Sequence, residues 1–161
     1  MSHWANLLRR WFLVLAWMGV IFTASSDSGS SQHTSRIIGP ILHWLYPRIP
    51  QKEQDAITFA VRKAAHVTEF AILAWLTSRA LRRSGSNSGT SSLKFGTAAA
   101  AWSIATAYAA SDELHQAFVP TRTGCWQDVV IDSTGAAFGL GLLWLWTVAR
   151  SRASKGVVKS E

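Results

Sequence analysis

The sequence predicts an all-α membrane protein: a four-helix transmembrane bundle with a short interfacial segment between the first and second helices. Two observations carry this prediction. Charged side chains are nearly absent from four apolar stretches and crowd into the segments between them, as they do around membrane-spanning helices. The chain also has nine Trp residues, several of them near the ends of those stretches, where amphipathic rings favour the headgroup level.

A chain of 161 residues suits one domain, covering residues 1–161. About 20 residues are needed to cross the hydrocarbon core. The predicted spans lie at about residues 7–24, 64–80, 94–111 and 129–149. The first span is short unless Leu7 and Leu8 contribute and Arg9 and Arg10 snorkel. Its basic start and short apolar core also fit a cleaved signal peptide, so two interpretations stay open, with a retained helix preferred.

The segment between the first two spans predicts a loop and then an interfacial element. Residues 27–32 are rich in Ser and read as a loop. Residues 37–46 are apolar with an aromatic edge but too short to cross a membrane, so we expect them to lie in the interface. Pro47 ends this segment, and Pro50 suits the first turn of the next helix.

The second helix is predicted to run from Gln51 to Arg83, followed by a Gly/Ser/Asn linker at 84–92. The third span is dominated by Ala, a composition that lets helices approach closely. The fourth contains Gly135 and Gly139, a spacing that predicts helix packing. The basic tail at 150–161 is predicted to be disordered and cytoplasmic.

The charges predict the orientation of the bundle. Four spans place both termini on one side of the membrane. With the termini inside, ten Lys and Arg residues are cytoplasmic: Arg9, Arg10, Arg79, Arg82, Arg83, Lys94, Arg150, Arg152, Lys155 and Lys159. Six lie on the other side: Arg36, Arg48, Lys52, Arg62, Lys63 and Arg122. This excess of cytoplasmic cations predicts a multi-pass protein of the cytoplasmic membrane with both termini cytoplasmic.

The composition also argues against nucleic-acid binding and against sites built from several cysteines. A net charge of +7 invites nucleic-acid binding, but these cations flank apolar runs instead of forming one stripe, so we predict no nucleic-acid partner. The single cysteine, Cys125, excludes an intramolecular disulfide and a multi-cysteine metal site.

Ionisable residues from three helices converge at one membrane depth. In the second helix Arg62, His66 and Glu69 share a face because they are spaced i, i+4, i+7. The outer end of the third helix carries Asp112, Glu113, His115 and Gln116, and the fourth carries Asp128 and Asp132. An acid in a membrane helix costs about 2.5–3.5 kcal/mol on insertion scales, so a partner is expected for Glu69 and Asp132. The candidate partners are Arg62, His66, His115 and Arg122.

The motifs formed by these residues resemble the VanZ-like family. They are Lys63-Ala-Ala-His66, Ser111-Asp-Glu-Leu-His-Gln116, Phe118-Val-Pro-Thr-Arg122-Thr-Gly124 and Asp128-Val-Val-Ile-Asp132-Ser-Thr-Gly135. The end of the first helix, Ile21-Phe22-Thr-Ala-Ser25-Ser26, is similar to that family too. One departure is Thr121, where members more often carry Gly. Thr adopts positive φ at a cost that Gly does not have.

The resemblance implies a membrane protein with a link to glycopeptide resistance, because the founding member is associated with resistance to teicoplanin. The expected partners are the lipid bilayer and an outward-facing target: a cell-wall precursor, a lipid headgroup or a glycopeptide. Whether the chain is an enzyme stays open. The alternative is a non-catalytic protein whose polar network serves helix packing, proton transfer or partner assembly.

The roles of individual residues also stay open at this stage. The candidate catalytic residues are His66, Glu69, Glu113 and His115; the candidate ligand-binding residues are Arg122, Asp128, Asp132, Asp112 and Gln116. His66 with Glu69 reads as a proton-transfer pair, as metal ligands or as helix-to-helix contacts. Arg122 reads as an anion clamp or as the counter-ion of Asp128. Glu113 and His115 are preferred over Asp112, since adjacent helical residues point to different faces.

Neither a metal nor a cofactor is assigned from the sequence. Mixed nitrogen and oxygen ligands would suit zinc or another divalent ion. Such a site would draw on His66, His115, Glu69, Glu113, Asp128 and Asp132. No tight pair such as His-Glu-x-x-His is present.

Overall fold

The computed structural model describes residues 3–26, 31–84, 93–120 and 124–158. The described part of the chain is all-helical, which confirms the predicted class. It forms five helices: α1 His3–Ser25, α2 Ser31–Leu45, α3 Gln51–Ser84, α4 Phe95–Gln116 and α5 Trp126–Val158. The predicted linker at 84–92, apart from Ser84, and the loop residues 121–123 lie outside the described residues.

α1 buries one narrow face and exposes the rest. Val14, Ile21 and Ser25 are fully buried at spacings i, i+7 and i+11, so they lie on one side of the helix. The other sides carry large apolar residues such as Phe12 and Leu15, which are 66% and 59% exposed. A helix of this kind needs an apolar environment around it.

α2 begins earlier than the sequence predicted. The expected loop at 27–32 ends before Ser31, because Ser31 and Gln32 already belong to the helix. Among the described elements α2 packs only against α3. Gly39 and Leu42 face that helix, and a β-carbon on Gly39 would lie 2.8 Å from the Gln54 side-chain nitrogen. The segment is therefore a short helix paired with the first turns of α3.

α3 follows its predicted bounds, whereas α4 and α5 are longer than expected. α4 includes the whole acidic element up to Gln116. α5 continues to Val158, so the expectation of a disordered tail is wrong for residues 150–158. Residues 150–158 mix good helix formers (Arg150, Arg152, Ala153 and Lys155) with Ser, Gly and Val. A helix already running through residue 149 is extended by such residues without a new nucleation cost.

The helices of the bundle alternate in direction. Lys63 pairs with Asp128 and the Val67 backbone lies against Gly135, so α3 and α5 run parallel. Tyr108 donates a hydrogen bond to the carbonyl of Met18 and Ser25 donates one to Asp112, so α1 and α4 run parallel. Trp102 reaches the carbonyl of Ser133 while Glu113 reaches the nitrogen of Cys125, so α4 and α5 are antiparallel. This is an up-and-down arrangement.

Two glycines let α3 and α5 approach closely. A β-carbon on Gly135 would lie 2.6 Å from the carbonyl oxygen of Val67, and one on Gly139 would lie 2.8 Å from the carbonyl oxygen of Ala71. Neither distance is compatible with a side chain on α5. The Gly135–Gly139 pair therefore packs directly against the α3 backbone.

Two helices are long and apolar enough to cross a membrane: Leu8–Ser25 in α1 and Trp126–Arg152 in α5. Only 17% and 28% of these stretches is buried inside the protein, whereas the core helix of a soluble protein would be mostly buried. In the described part of the chain α3 and α4 do not meet this criterion. Their apolar parts are flanked by charged residues and, in α4, consist largely of Ala.

Candidate functional site

One end of the bundle gathers polar residues from four helices. We call these residues the polar cluster: Ser25 of α1, Lys63 and His66 of α3, Asp112, Glu113, His115 and Gln116 of α4, and Asp128 and Asp132 of α5. The cluster forms because α1 and α4 end where α5 begins, and because α3 passes this level in parallel with α5.

Asp112 is the most fully bonded acid of the polar cluster. It is 2% exposed, and its Oδ2 accepts hydrogen bonds from Ser25 Oγ at 2.6 Å and from Gln116 Nε2 at 2.9 Å. Its other oxygen, Oδ1, is buried and has no hydrogen-bond partner among the described residues. The carboxylate therefore ties α1 to α4 with one oxygen and leaves the other available.

Asp132 is 1% exposed and faces His66 across the α3–α5 contact. The His66 Nδ1 lies 3.6 Å from Asp132 Oδ2, which is too long for a hydrogen bond. Neither oxygen of Asp132 has a hydrogen-bond partner in the described part of the chain. A buried acid without donors is costly, so this pair leaves unmet hydrogen-bonding capacity.

Lys63 is the counter-ion of Asp128. Its Nζ contacts Asp128 Oδ1, and both side chains are about a quarter exposed. Arg122 had been one expected counter-ion of Asp128, but Arg122 and Thr121 lie outside the described residues. The binding of an anion by Arg122 therefore stays a prediction.

Glu113, in the last turn of α4, is bonded to the end of the loop that leads to α5. Its Oε2 accepts a hydrogen bond from the backbone N–H of Cys125 at 2.8 Å, whereas its buried Oε1 has no partner among the described residues. A β-carbon on Gly124 would lie 2.5 Å from the Glu113 carbonyl, so the chain passes very close here. Burial raises the pKa of Glu113, which lies beyond the predicted span at 94–111. The Cys125 N–H opposes that rise, and the charges of Asp128, Asp132 and Asp112 add to it.

His115 closes the cluster on the α1 side. Its ring stacks on Phe22, with 4.4 Å between ring centroids and 28° between the planes. Its Nε2 is buried and has no hydrogen-bond partner in the described segments. The last turns of α1 therefore cover the α4 residues through Phe22 and Ser25.

The structure shows which partners these candidate residues contact. His66 forms an ion pair with Asp132. Glu69 is half-buried, and its carbonyl accepts a hydrogen bond from Trp17. Gln116 donates a hydrogen bond to Asp112. Asp112 and Glu113 are both buried, so the preference for Glu113 over Asp112 is not supported by burial.

Sequence reasoning missed two members of the polar cluster, Ser25 and Lys63. Both lie inside motifs that carried the family resemblance. Lys63 stands three residues before His66, a spacing that places both on one helix side. Ser25 had no such signal, because its partner is 87 positions away in the sequence.

Among the described residues, no three His, Cys, Asp or Glu side chains are placed so that they could hold a metal ion. The ligand set considered from the sequence is thus divided between separate pairs: His66 with Asp132, Lys63 with Asp128, and Glu113 with the Cys125 backbone.

These features define a small helical protein with two membrane-length apolar helices and an acid-rich polar cluster at one end of the bundle. The chain belongs to the VanZ/LLP1 family, whose model matches residues 10–147. That range includes every residue of the polar cluster, and the match confirms the resemblance seen in the sequence. Membership in this membrane-associated family and the two apolar helices fit a membrane protein. Comparisons with curated proteins and with solved structures found no match.

Proposed function

We propose that this chain is a four-span membrane protein whose polar cluster faces outward and binds a cell-envelope ligand that carries hydrogen-bond donors. The observation that carries the proposal is Asp132: it is fully buried, and both of its oxygens lack a hydrogen-bond donor in the described part of the chain. A hydroxyl or ammonium group of a ligand would supply the missing donors.

The proposed spans are those predicted at 7–24, 64–80, 94–111 and 129–149. The alternating directions of α1, α3, α4 and α5 support them, because successive spans must cross in opposite senses. Helix length supports them as well. α4 has 22 residues and α3 has 34, about 33 and 51 Å at 1.5 Å per residue, against a hydrocarbon core of about 30 Å.

The outward orientation rests on the distribution of charge. The end of the bundle opposite the polar cluster carries Arg79, Arg82, Arg150 and Arg152. Cations are retained preferentially on the cytoplasmic side. The polar cluster then faces away from the cytoplasm, and both termini are cytoplasmic.

The chemistry of the cluster favours a ligand that donates hydrogen bonds. Asp112 Oδ1, Glu113 Oε1 and both Asp132 oxygens are buried acceptors without donors among the described residues. Buried acceptors are satisfied in most proteins by protein groups or ordered water, so a polar ligand or its water would occupy this place. Cell-wall precursors, lipid headgroups and glycopeptides all present hydroxyl or amino groups.

Binding is the minimal form of this proposal. If a reaction follows, His66 or Glu113 would be the acid–base group, and Arg122 would hold an anionic part of the substrate. A link to glycopeptide resistance rests on family membership alone.

Proton transfer is the second candidate function. It is favoured by the His66–Asp132 pair, whose facing atoms are 3.6 Å apart within the bundle. A single water lying to one side and in contact with both atoms would complete two hydrogen bonds. In this case the cluster would carry protons without a bound organic ligand.

A binding measurement on the purified protein in detergent tests the first function. The unfolding temperature is measured with teicoplanin, with a lipid-linked cell-wall precursor and with phosphatidylethanolamine. We expect at least one of them to raise it in the wild type, and we expect Asp132→Asn and Asp112→Asn to abolish the rise. Glu53→Gln, an exposed acid of α3 outside the cluster, is the matched control. Absence of any rise in the wild type, or an equal rise in all variants, would contradict the proposal.

A further inference from the structure

The end of the bundle opposite the polar cluster is strongly basic. Because α3 and α5 run parallel, their later parts reach the same end. We call this the basic end, defined by Arg79, Arg82, Arg150 and Arg152. In the described part of the chain none of these four forms an ion pair. The described acids lie elsewhere: Glu53, Asp55, Glu69, Asp112, Glu113, Asp128 and Asp132.

Two of these arginines are held against exposed tryptophans. The Arg79 guanidinium lies 5.9 Å from the centroid of the Trp75 ring, and that of Arg150 lies 4.9 Å from the Trp146 ring. Trp75 and Trp146 are 38% and 57% exposed. Tryptophan favours the boundary between hydrocarbon and headgroups, so each pair holds a guanidinium at headgroup depth.

The helix dipole does not account for all of these charges. Basic residues are favoured in the last turn of a helix. α5, however, continues to Val158, so Arg150 and Arg152 lie well before its last turn. Arg79 precedes the last residue of α3 by more than one turn. Their shared property is the position at the end of the apolar stretch, which in α5 ends at Arg152.

We propose that the basic end binds the phosphate of an anionic phospholipid. Guanidinium groups bind phosphate through two parallel hydrogen bonds, and the Trp rings fix them at the depth where lipid phosphates lie. The acyl chains would lie against the exposed apolar face of α5, where Leu142 and Leu145 are 52% and 56% exposed. This site is separate from the polar cluster, so it does not depend on the function proposed for that cluster.

The test measures lipid affinity of the full chain in detergent. Phosphatidylglycerol and phosphatidylcholine with identical acyl chains are titrated, and bound lipid is counted by native mass spectrometry. The variant is Arg79→Gln with Arg82→Gln and Arg150→Gln. The control is Arg36→Gln with Arg48→Gln and Lys52→Gln, which removes one cation each from α2, the turn after it and the start of α3. Inorganic phosphate, added in excess, is the competitor that distinguishes a free-anion site from a lipid site.

We expect the wild type and the control to bind phosphatidylglycerol more tightly than phosphatidylcholine. In the basic-end variant we expect the affinity for phosphatidylglycerol to fall about a hundredfold, at roughly fivefold for each of the three arginines. Phosphatidylcholine binding should not change. Equal phosphatidylglycerol affinity in all three proteins would overturn the proposal, and so would complete displacement by inorganic phosphate. If the triple variant does not fold, Arg79→Gln and Arg150→Gln are measured singly. A loss of phosphatidylglycerol affinity of less than twofold in both single variants would also overturn the proposal.

Discussion

His66 Nδ1 faces Asp132 Oδ2 at 3.6 Å, immediately beside the point where Gly135 lets α5 approach the α3 backbone at Val67. The close approach and the polar pair belong to the same helix contact. The residue that carries the proposed function is therefore positioned by the absence of a side chain one turn further along α5.

The first prediction concerns this glycine. Gly135→Ala is expected to destabilise the protein by about 1–3 kcal/mol, the usual cost of overpacking, because the new β-carbon would lie 2.6 Å from the Val67 carbonyl oxygen. The measurement is thermal unfolding in detergent. Gly141→Ala is the matched control, since no atom lies within 4 Å of its β-carbon position. It should be neutral or slightly stabilising, because Ala is the better helix former. Equal stability of the two variants would contradict the close approach.

The second prediction concerns the attachment of α1. Ser25→Ala removes a donor from the buried Asp112 and is expected to cost about 1–3 kcal/mol of folding free energy. Ser26→Ala is the control, since it removes a neighbouring hydroxyl that donates a local hydrogen bond to the Phe22 carbonyl four residues earlier. The comparison uses chemical or thermal unfolding.

The same contact bears on whether α1 is retained. Trp17 and Tyr108 add two further bonds between α1 and the bundle, so we expect the intact mass of the purified protein to include residues 1–26. A mass that begins beyond Ser25 would mean that the first helix is a cleaved signal peptide.

The third prediction concerns pH. Burial raises the pKa of Glu113 in the folded protein above its ordinary value of 4.5. The unfolded chain therefore loses this proton at lower pH than the folded chain does. The contribution of Glu113 to stability is fully present below about pH 4.5 and is lost as pH rises through the pKa of the folded state.

Glu113→Gln should remove this loss, while its side-chain oxygen still accepts the Cys125 N–H. We expect the unfolding temperature of the variant, relative to wild type, to increase as pH rises above 4.5. Glu53→Gln controls for the loss of one carboxylate from the chain. A constant difference between Glu113→Gln and wild type at every pH would mean that folding does not shift the pKa of Glu113.

The fourth prediction concerns orientation. Cys125 is half-buried in the loop between Glu113 and Asp128 and is the chain's only cysteine. We expect a membrane-impermeant maleimide to label it in intact cells, or in spheroplasts where an outer membrane is present. Cys125→Ser and a detergent-solubilised sample are the controls. Labelling confined to inside-accessible membranes would reverse the orientation and remove the outward-facing target. No labelling even in detergent would mean that the thiol is inaccessible, and a cysteine at exposed Gln127 would then report the side.

The sequence by itself determined the all-helical class and most members of the polar cluster, but not Ser25 or Lys63. Pro47 and Pro50 predicted the start of α3 at Gln51, and the acid and histidine motifs identified the family. The sequence was less informative about the basic tail, which has no clear boundary signal. Composition alone suggested disorder after residue 149, but a helix already formed through the preceding span continues to Val158 without a new nucleation cost.

The tertiary structure decided which of those residues meet. Helical periodicity fixes the face of each helix on which a side chain lies, but not the register or rotation between helices. That register depends on contacts such as Gly135 against Val67, which are fixed only when the helices pack. For this reason His66 meets Asp132, Lys63 meets Asp128, and Ser25 reaches an acid 87 positions away. Local sequence determined the helices and their chemistry, and the close packing of α3 with α5 and of α1 with α4 determined the polar cluster.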